Sequence, residues 1–198
     1  MARCVLATGN EGKLREMRAL LDDWPLEIVS QSSFGIESPP ETGLTFVENA
    51  LLKARHAAAR TGLPSIADDS GIEVDVLNGE PGIRSARYAG ENASDPENLA
   101  LLVERLKGVL PEERTARFQC VVVVLRHAHD PTPRIFSGTW EGRVLETPRG
   151  SNGFGYDPIF EVSERGCSAA ELDSATKNRL SHRAQALLKL RDALPRGI

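Results

Sequence analysis

Between Thr115 and His127 the chain carries an unbroken extended signal, alternating at first (Ala116, Phe118, Cys120) and then continuously apolar from Val121 to Leu125. A strand of that length needs a hydrogen-bonding partner. The nearest partner follows directly. His129-Asp130-Pro131-Thr132-Pro133 reads as a loop, and a second strand-like run begins at Arg134 and is clearest from Ile135 to Trp140. The pair predicts a long antiparallel hairpin. Helical segments on either side of it in sequence restrict the chain to an α/β fold around an elongated mixed sheet.

The remaining elements are placed by periodicity and by stop signals. Arg3 to Thr8 predicts a short strand that ends at Gly9-Asn10, after which Leu14, Met17, Leu20 and Leu21 recur at helical spacing. Leu26 to Val29 predicts a second strand, followed by a polar loop from Gln31 to Gly43 that contains Pro39-Pro40. Thr45 and Glu48 have capping-box spacing for a helix with Ala50, Leu51, Ala54, Ala57 and Ala58 on its apolar face, closed by Gly62 and Pro64. Ser65 to Asp68 predicts a brief buried strand ending in a turn. After Gly71, Ile72, Val74 and Val76 alternate as a half-exposed strand. Asp95-Pro96 reads as the N-cap and first turn of a helix through Leu99, Leu102, Val103 and Leu106. Glu146 to Pro158 is Gly- and Pro-rich without period, which marks a functional loop. Ile159 to Val162 follows as a strand. A terminal helix carries Leu180, Ala184, Leu187, Leu188, Arg191 and Leu194 as one stripe. With 198 residues, no repeat and no linker, one domain spanning 1–198 is expected.

Charge and cysteine usage remove whole classes of function. The 24 basic residues are outnumbered by 28 acidic ones, the wrong sign for coating nucleic acid or a membrane surface, so an anionic ligand must be gripped locally. The apolar stretch after Met1 is too short for a signal-peptide core or a membrane span, and a cytoplasmic protein is expected. Cys4, Cys120 and Cys167 are odd in number and far apart, which excludes a disulfide framework and predicts three reduced thiols.

Four segments have the chemistry of a site. Thr8-Gly9-Asn10-Glu11-Gly12-Lys13 lies where a strand hands over to a helix, so outward backbone amides and the Lys13 ammonium suit a phosphate; the spacing is not a Walker A. Asp68-Asp69-Ser70-Gly71 pairs two acids, which can hold a hard cation and orient or deprotonate a water. Because adjacent strand residues face opposite ways, both acids serve one site only if the chain turns between them; otherwise one is catalytic and the other braces the turn. Glu41 is a candidate third oxygen ligand. In Gly153-Phe154-Gly155-Tyr156-Asp157-Pro158 a ring can stack on a purine while a carboxylate accepts from its edge, or the aromatics simply anchor the loop. Lys177 with Ser181-His182-Arg183 supplies donors near a helix start. His127 and His129 lack a third ligand nearby and read as a surface strand end.

Taken together, T-G-N-E-G-K from Thr8, E-T-G-L-T-F-V-E-N-A from Glu41, D-D-S-G from Asp68, G-F-G-Y-D-P from Gly153 and S-H-R from Ser181 resemble the inosine triphosphate pyrophosphatase family, in its order and spacing from about Arg3 to Leu194. The resemblance implies an α/β fold with two lobes around a central cleft, a homodimer, and a Mg²⁺-dependent enzyme. Such an enzyme cuts ITP, dITP and XTP to the monophosphate and pyrophosphate, which clears deaminated purines from the nucleotide pool. It further implies that Thr8, Gly9, Asn10, Glu11, Gly12 and Lys13 cradle the triphosphate and that Asp69 is the general base. Glu41 with Asp68 or Asp69 would hold Mg²⁺, and Ser70 would touch substrate. Phe154, Gly155, Tyr156 and Asp157 would meet the purine, with Lys177, His182 and Arg183 completing base recognition. Two other readings use the same residues: a phosphohydrolase cutting at the γ-phosphate, and a nucleotide sensor without turnover. A pure sensor has no use for a candidate base beside its metal.

Overall fold

A computed structural model describes residues 2–194 and 198; Met1 and residues 195–197 lie outside the described residues. Seven strands form one sheet in the order β2-β1-β3-β4-β5-β6-β7. They are β1 (Ala2–Leu6), β2 (Leu26–Ser30), β3 (Ser65–Val74), β4 (Thr115–Leu125), β5 (Arg134–Val144), β6 (Phe160–Val162) and β7 (Cys167–Ser168). The sheet is mixed. β1 runs parallel to β2, with Ala2 opposite Leu26, and parallel to β3, with Val5 opposite Ser65. β6 is antiparallel to β5 and to β7. The predicted hairpin is present as β4 and β5, consecutive and adjacent in the sheet. The helices are α1 (Glu11–Leu20), α2 (Phe46–Thr61), α3 (Asp95–Arg105), α4 (Ser174–Leu180) and α5 (His182–Ala193). Among the described residues no helix is long and apolar enough to cross a membrane.

The chain divides into two compact units, and the division falls inside β3, β4 and β5. One unit comprises residues 1–69, 120–138 and 183–198; the other comprises 70–119 and 139–182. In the first, side chains alternate between two buried faces. Cys4, Leu6, Ile66, Cys120, Val122 and Val124 pack with Leu14 and Met17 of α1 and Leu187 and Leu190 of α5. Val5, Ala7, Ala67, Val123 and Leu125 pack with Ala50, Ala54 and Ala57 of α2. Burial on both faces explains why these strands read as continuous apolar runs.

The second unit has one apolar strand face. Ile72, Val74, Ala116, Phe118, Trp140 and Phe160 pack with Leu102 and Leu106 from α3 and its C-terminal end. The Phe118 and Phe160 rings lie 4.5 Å apart, an aromatic contact worth about 0.5–1.5 kcal/mol beyond area burial. The opposite face of the same strands is polar. There Arg117 bonds both Asp75 and Glu141, Gln119 bonds Glu73, and Thr139 bonds Gln119.

Several expectations from local sequence are corrected. β3 is one unbroken strand through Asp68-Asp69-Ser70-Gly71, with no turn after the acids, and it ends at Val74, leaving Val76 exposed. Gly71 is needed for close approach and not for a turn. A Cβ there would stand 2.3 Å from the Gly82 carbonyl oxygen and 2.5 Å from Ser85 Oγ. Gly71→Ala is therefore expected to destabilise the protein by about 1–3 kcal/mol, the usual cost of overpacking, measured as a lowered urea midpoint at unchanged slope. Ser94, with Glu97, caps α3, and Asp95 is its first residue. The terminal stripe is two helices broken at Ser181, whose extended backbone caps α4. Its buried side is Ala184, Ala186, Leu187 and Leu190, while Leu188 is exposed.

Candidate active site

In the first unit, β1 passes into α1 through a turn that the sequence closes on itself. The buried Thr8 hydroxyl accepts the Asn10 amide proton at 3.2 Å, and the Asn10 side chain caps α1 by accepting from the Lys13 amide at 2.9 Å. Asn10 thus shapes the helix start, whose first-turn amides carry the positive end of the helix dipole. Glu11 and Gly12 occupy that turn, and Lys13 leaves it with Nζ 3.0 Å from Asp68 Oδ2.

Asp68 and Asp69 diverge, as an unbroken strand requires. Asp68 faces the helices α1 and α5, where Lys13 and the buried Arg183 guanidinium reach it; Arg183 lies 3.3 Å away and also donates to Glu16. Asp69 faces α2. Lys53 Nζ lies 2.8 Å from Asp69 Oδ1 and 2.7 Å from Glu41 Oε1, and Asn49 Nδ2 is 3.4 Å from Asp69 Oδ2. The other end of the Asn49 amide accepts the Gly43 N–H at 2.8 Å, which ties the Glu41 loop to the strand.

The two acids are driven in opposite directions. Burial pushes the Asp68 carboxyl up, but the charges of Lys13 and Arg183 outweigh it and hold the group well below the usual range. For Asp69 burial wins. Lys53 and Lys13 oppose it, Glu41 adds repulsion, and the carboxyl sits above its ordinary value. Burial likewise works against the Lys53 ammonium, but Asp69, Asp68 and Glu41 outweigh it and raise its pKa. Two neighbouring acids with separated affinities for a proton suit an acid–base site.

Glu41 and Asp69 converge on one point, now taken by Lys53 Nζ, while Asp68 addresses the other face of the strand. Among the described residues no group of three or more His, Cys, Asp and Glu side chains is arranged to hold a metal ion. Two converging carboxylates fit the one-or-two-carboxylate pattern of Mg²⁺, which takes its other oxygens from phosphate and water.

The second unit builds a separate cluster from the Gly-rich loop and α4. Gly153 and Gly155 have φ of 75° and 61°. The Phe154 amide donates to Asp157 Oδ2 at 2.9 Å, the buried Lys177 ammonium bonds the same oxygen, and Lys177 Nζ stands 4.9 Å from the Phe154 ring centroid. Tyr156 is buried, and its hydroxyl donates to the Ser85 carbonyl at 2.8 Å, so it anchors the loop. The His182 ring stacks on Phe118 at 4.7 Å and 11°. Ser70 lies half-buried in β3.

Of the expected residues, the structure thus groups Lys13, Glu41, Asp68, Asp69 and Arg183 in one unit and Phe154, Asp157 and Lys177 in the other. Reading the sequence missed Glu16, Asn49 and Lys53. Asn49 and Lys53 are polar residues four apart, each directly before an alanine (Ala50, Ala54) of an otherwise small apolar face, and that interruption was their signal.

The chain is similar to known proteins over nearly its whole length. The chain is 58% identical over 197 residues to the dITP/XTP pyrophosphatase of Escherichia coli O157:H7, covering 100% of both chains. It is 58% identical over 194 residues to that of Vibrio cholerae serotype O1, covering 98% of this chain and 97% of the other. A solved HAM1 protein structure from Coxiella burnetii superposes with a TM-score of 0.91 at 48% identity, covering 98% of this chain and 99% of that one. The model of the Ham1 family matches residues 4–193. With sequence and fold shared from one end to the other, the chain belongs to the Ham1 family.

Proposed function

We propose that the chain, acting as one domain over residues 1–198, is a dITP/XTP pyrophosphatase that hydrolyses ITP, dITP and XTP to the monophosphate and pyrophosphate. The observation that carries the reading is the split acid pair: Asp69, raised by burial and facing Lys53 and Glu41, is the better proton acceptor, whereas Asp68, in contact with Lys13 and Arg183, is held low. The full-length identity to enzymes named for this activity supports the substrate class.

In this reading the Thr8–Lys13 turn and the Lys13 ammonium hold the triphosphate. Asp69 takes a proton from water, which attacks the α-phosphorus. The bond from that phosphorus to the bridging oxygen breaks, and pyrophosphate leaves with the electron pair. Glu41 and Asp69 would hold Mg²⁺, which when bound supplies positive charge to the phosphate oxygens. Without the ion, Lys53 keeps the two carboxylates together. Ser70 touches the substrate. Phe154 stacks on the purine, with Gly155 and Tyr156 setting the loop, and Lys177 and His182 supply donors to the 6-oxygen that hypoxanthine and xanthine share. Arg183 follows His182 and holds Asp68. Adenine presents an amino donor at that position, and leaving buried donors unpaired costs about 1–3 kcal/mol each, enough for much of the discrimination against ATP. The working form is a cytoplasmic homodimer that clears the nucleotide pool.

Hydrolysis of ITP in ¹⁸O-labelled water tests the chemistry. The label is expected in IMP, with unlabelled pyrophosphate as coproduct. Label confined to pyrophosphate places attack at the β-phosphorus, orthophosphate with IDP places it at the γ-phosphate, and no product leaves a binding protein.

A further inference from the structure

The Gly153–Tyr156 segment has two left-handed glycines and no regular secondary structure, so its conformation depends on the groups that tie it down. Two ties lie at its ends. The Phe154 amide bonds Asp157, and the Tyr156 hydroxyl bonds the Ser85 carbonyl. A third reaches its middle from a distant element: the Gly155 amide donates to Asp95 Oδ2 at 2.8 Å, across 60 positions of chain. Asp95 is the first residue of α3, and the capping of that helix is already performed by Ser94 and Glu97. Its carboxylate is therefore not required as the cap.

The chemistry of the residue suits the task. The contact is exposed and competes with water, so an ionised acceptor, roughly twice as strong as a neutral one, is needed to hold it. The helix N-terminus also favours the negative charge at that position. Gly155 sits between the ring of Phe154 and the buried Tyr156, so rotation about it carries Phe154 away from Lys177.

We propose that Asp95 is a positioning residue for the purine: by holding the Gly155 amide it sets the Phe154 ring and so governs the KM for 6-oxopurine triphosphates. This rests on the reading of the Phe154 loop as the base contact. Asp95→Ala is expected to raise the KM for ITP about tenfold, the worth of one charge-assisted hydrogen bond, with kcat nearly unchanged. The preference for ITP over ATP should compress to the same extent. Asp95→Asn keeps an acceptor but loses the charge, and is expected to raise the KM by about threefold, since a neutral acceptor is roughly half as strong. A role in starting α3 alone would move Ala and Asn variants alike and lower Tm in both, which overturns the proposal. Phe154→Ala separates the two ideas. If it leaves the ITP to ATP ratio unchanged, the base-contact reading falls and the proposal with it. If it compresses the ratio while Asp95→Ala keeps a wild-type KM, the reading stands and Asp95 has no positioning role.

Discussion

Asp69→Asn is expected to cut kcat for ITP by about 10²–10⁴, the usual worth of a general base, while nucleotide affinity falls little. The amide keeps the shape of the carboxylate and can still accept from Lys53, which holds Asp69 Oδ1 at 2.8 Å, but it cannot take up a proton from water. Because burial raises the affinity of Asp69 for a proton and the cations around Asp68 lower the other acid's, the two Asp→Asn variants should separate. Asp69→Asn loses rate. Asp68→Asn loses its charged contacts to Lys13 and Arg183, and with them stability. Steady-state kinetics beside equilibrium binding of ITP to the inactive variant make the measurement, and a near wild-type kcat in Asp69→Asn would move the base elsewhere.

Arg183→Ala should cost about 3–5 kcal/mol of folding stability, the range found when one member of a buried ion pair is removed. Arg183 is 1% exposed and bridges Asp68, equally buried, to Glu16. Truncation strands negative charge in the first unit beside a cavity, although Lys13 still contacts Asp68. The loss is read as a lowered urea midpoint. Its pH dependence follows from the depressed Asp68 pKa. The carboxylate's contribution is complete above its unfolded value near 3.9 and disappears only as pH falls through the lower folded value, so at neutral pH the wild type has all of it. A variant as stable as wild type would show that the Asp68–Arg183–Glu16 contacts contribute nothing net.

How much of this was legible in advance depends on how local the cause is. The capping of α2 by Thr45, with Gly62 at its end in a left-handed conformation, is a matter of a few adjacent residues, and the letters predict it. Asp-Asp-Ser-Gly failed the same treatment. Its residue types favour turns, but a strand is what forms, because β3 is held between β1 and β4 and Gly71 is required by the Gly82 carbonyl packed against it. Tertiary packing overrode local preference, and the reading of one acid as a turn brace went with it. Lys53 escaped notice for the converse reason: on a helix surface a lysine is ordinarily solvated, and the buried Asp69 with the half-buried Glu41 gives it a place inside.

Strand β4 marks the line between the two kinds of information. Its alternation up to Cys120 and its apolar run afterwards, both plain in the letters, correspond to one covered face in the second unit and two in the first, since burial follows directly from hydrophobic pattern. Side-chain identity and spacing, which act over a few residues, therefore determined the elements, their faces and the family motifs. The roles of the two adjacent acids were decided only by the folded chain. The affinity of a carboxylate for a proton is set by its burial and by the charges that reach it, and of the cations that lower Asp68, Lys13 acts most strongly while Arg183 comes from 115 positions away.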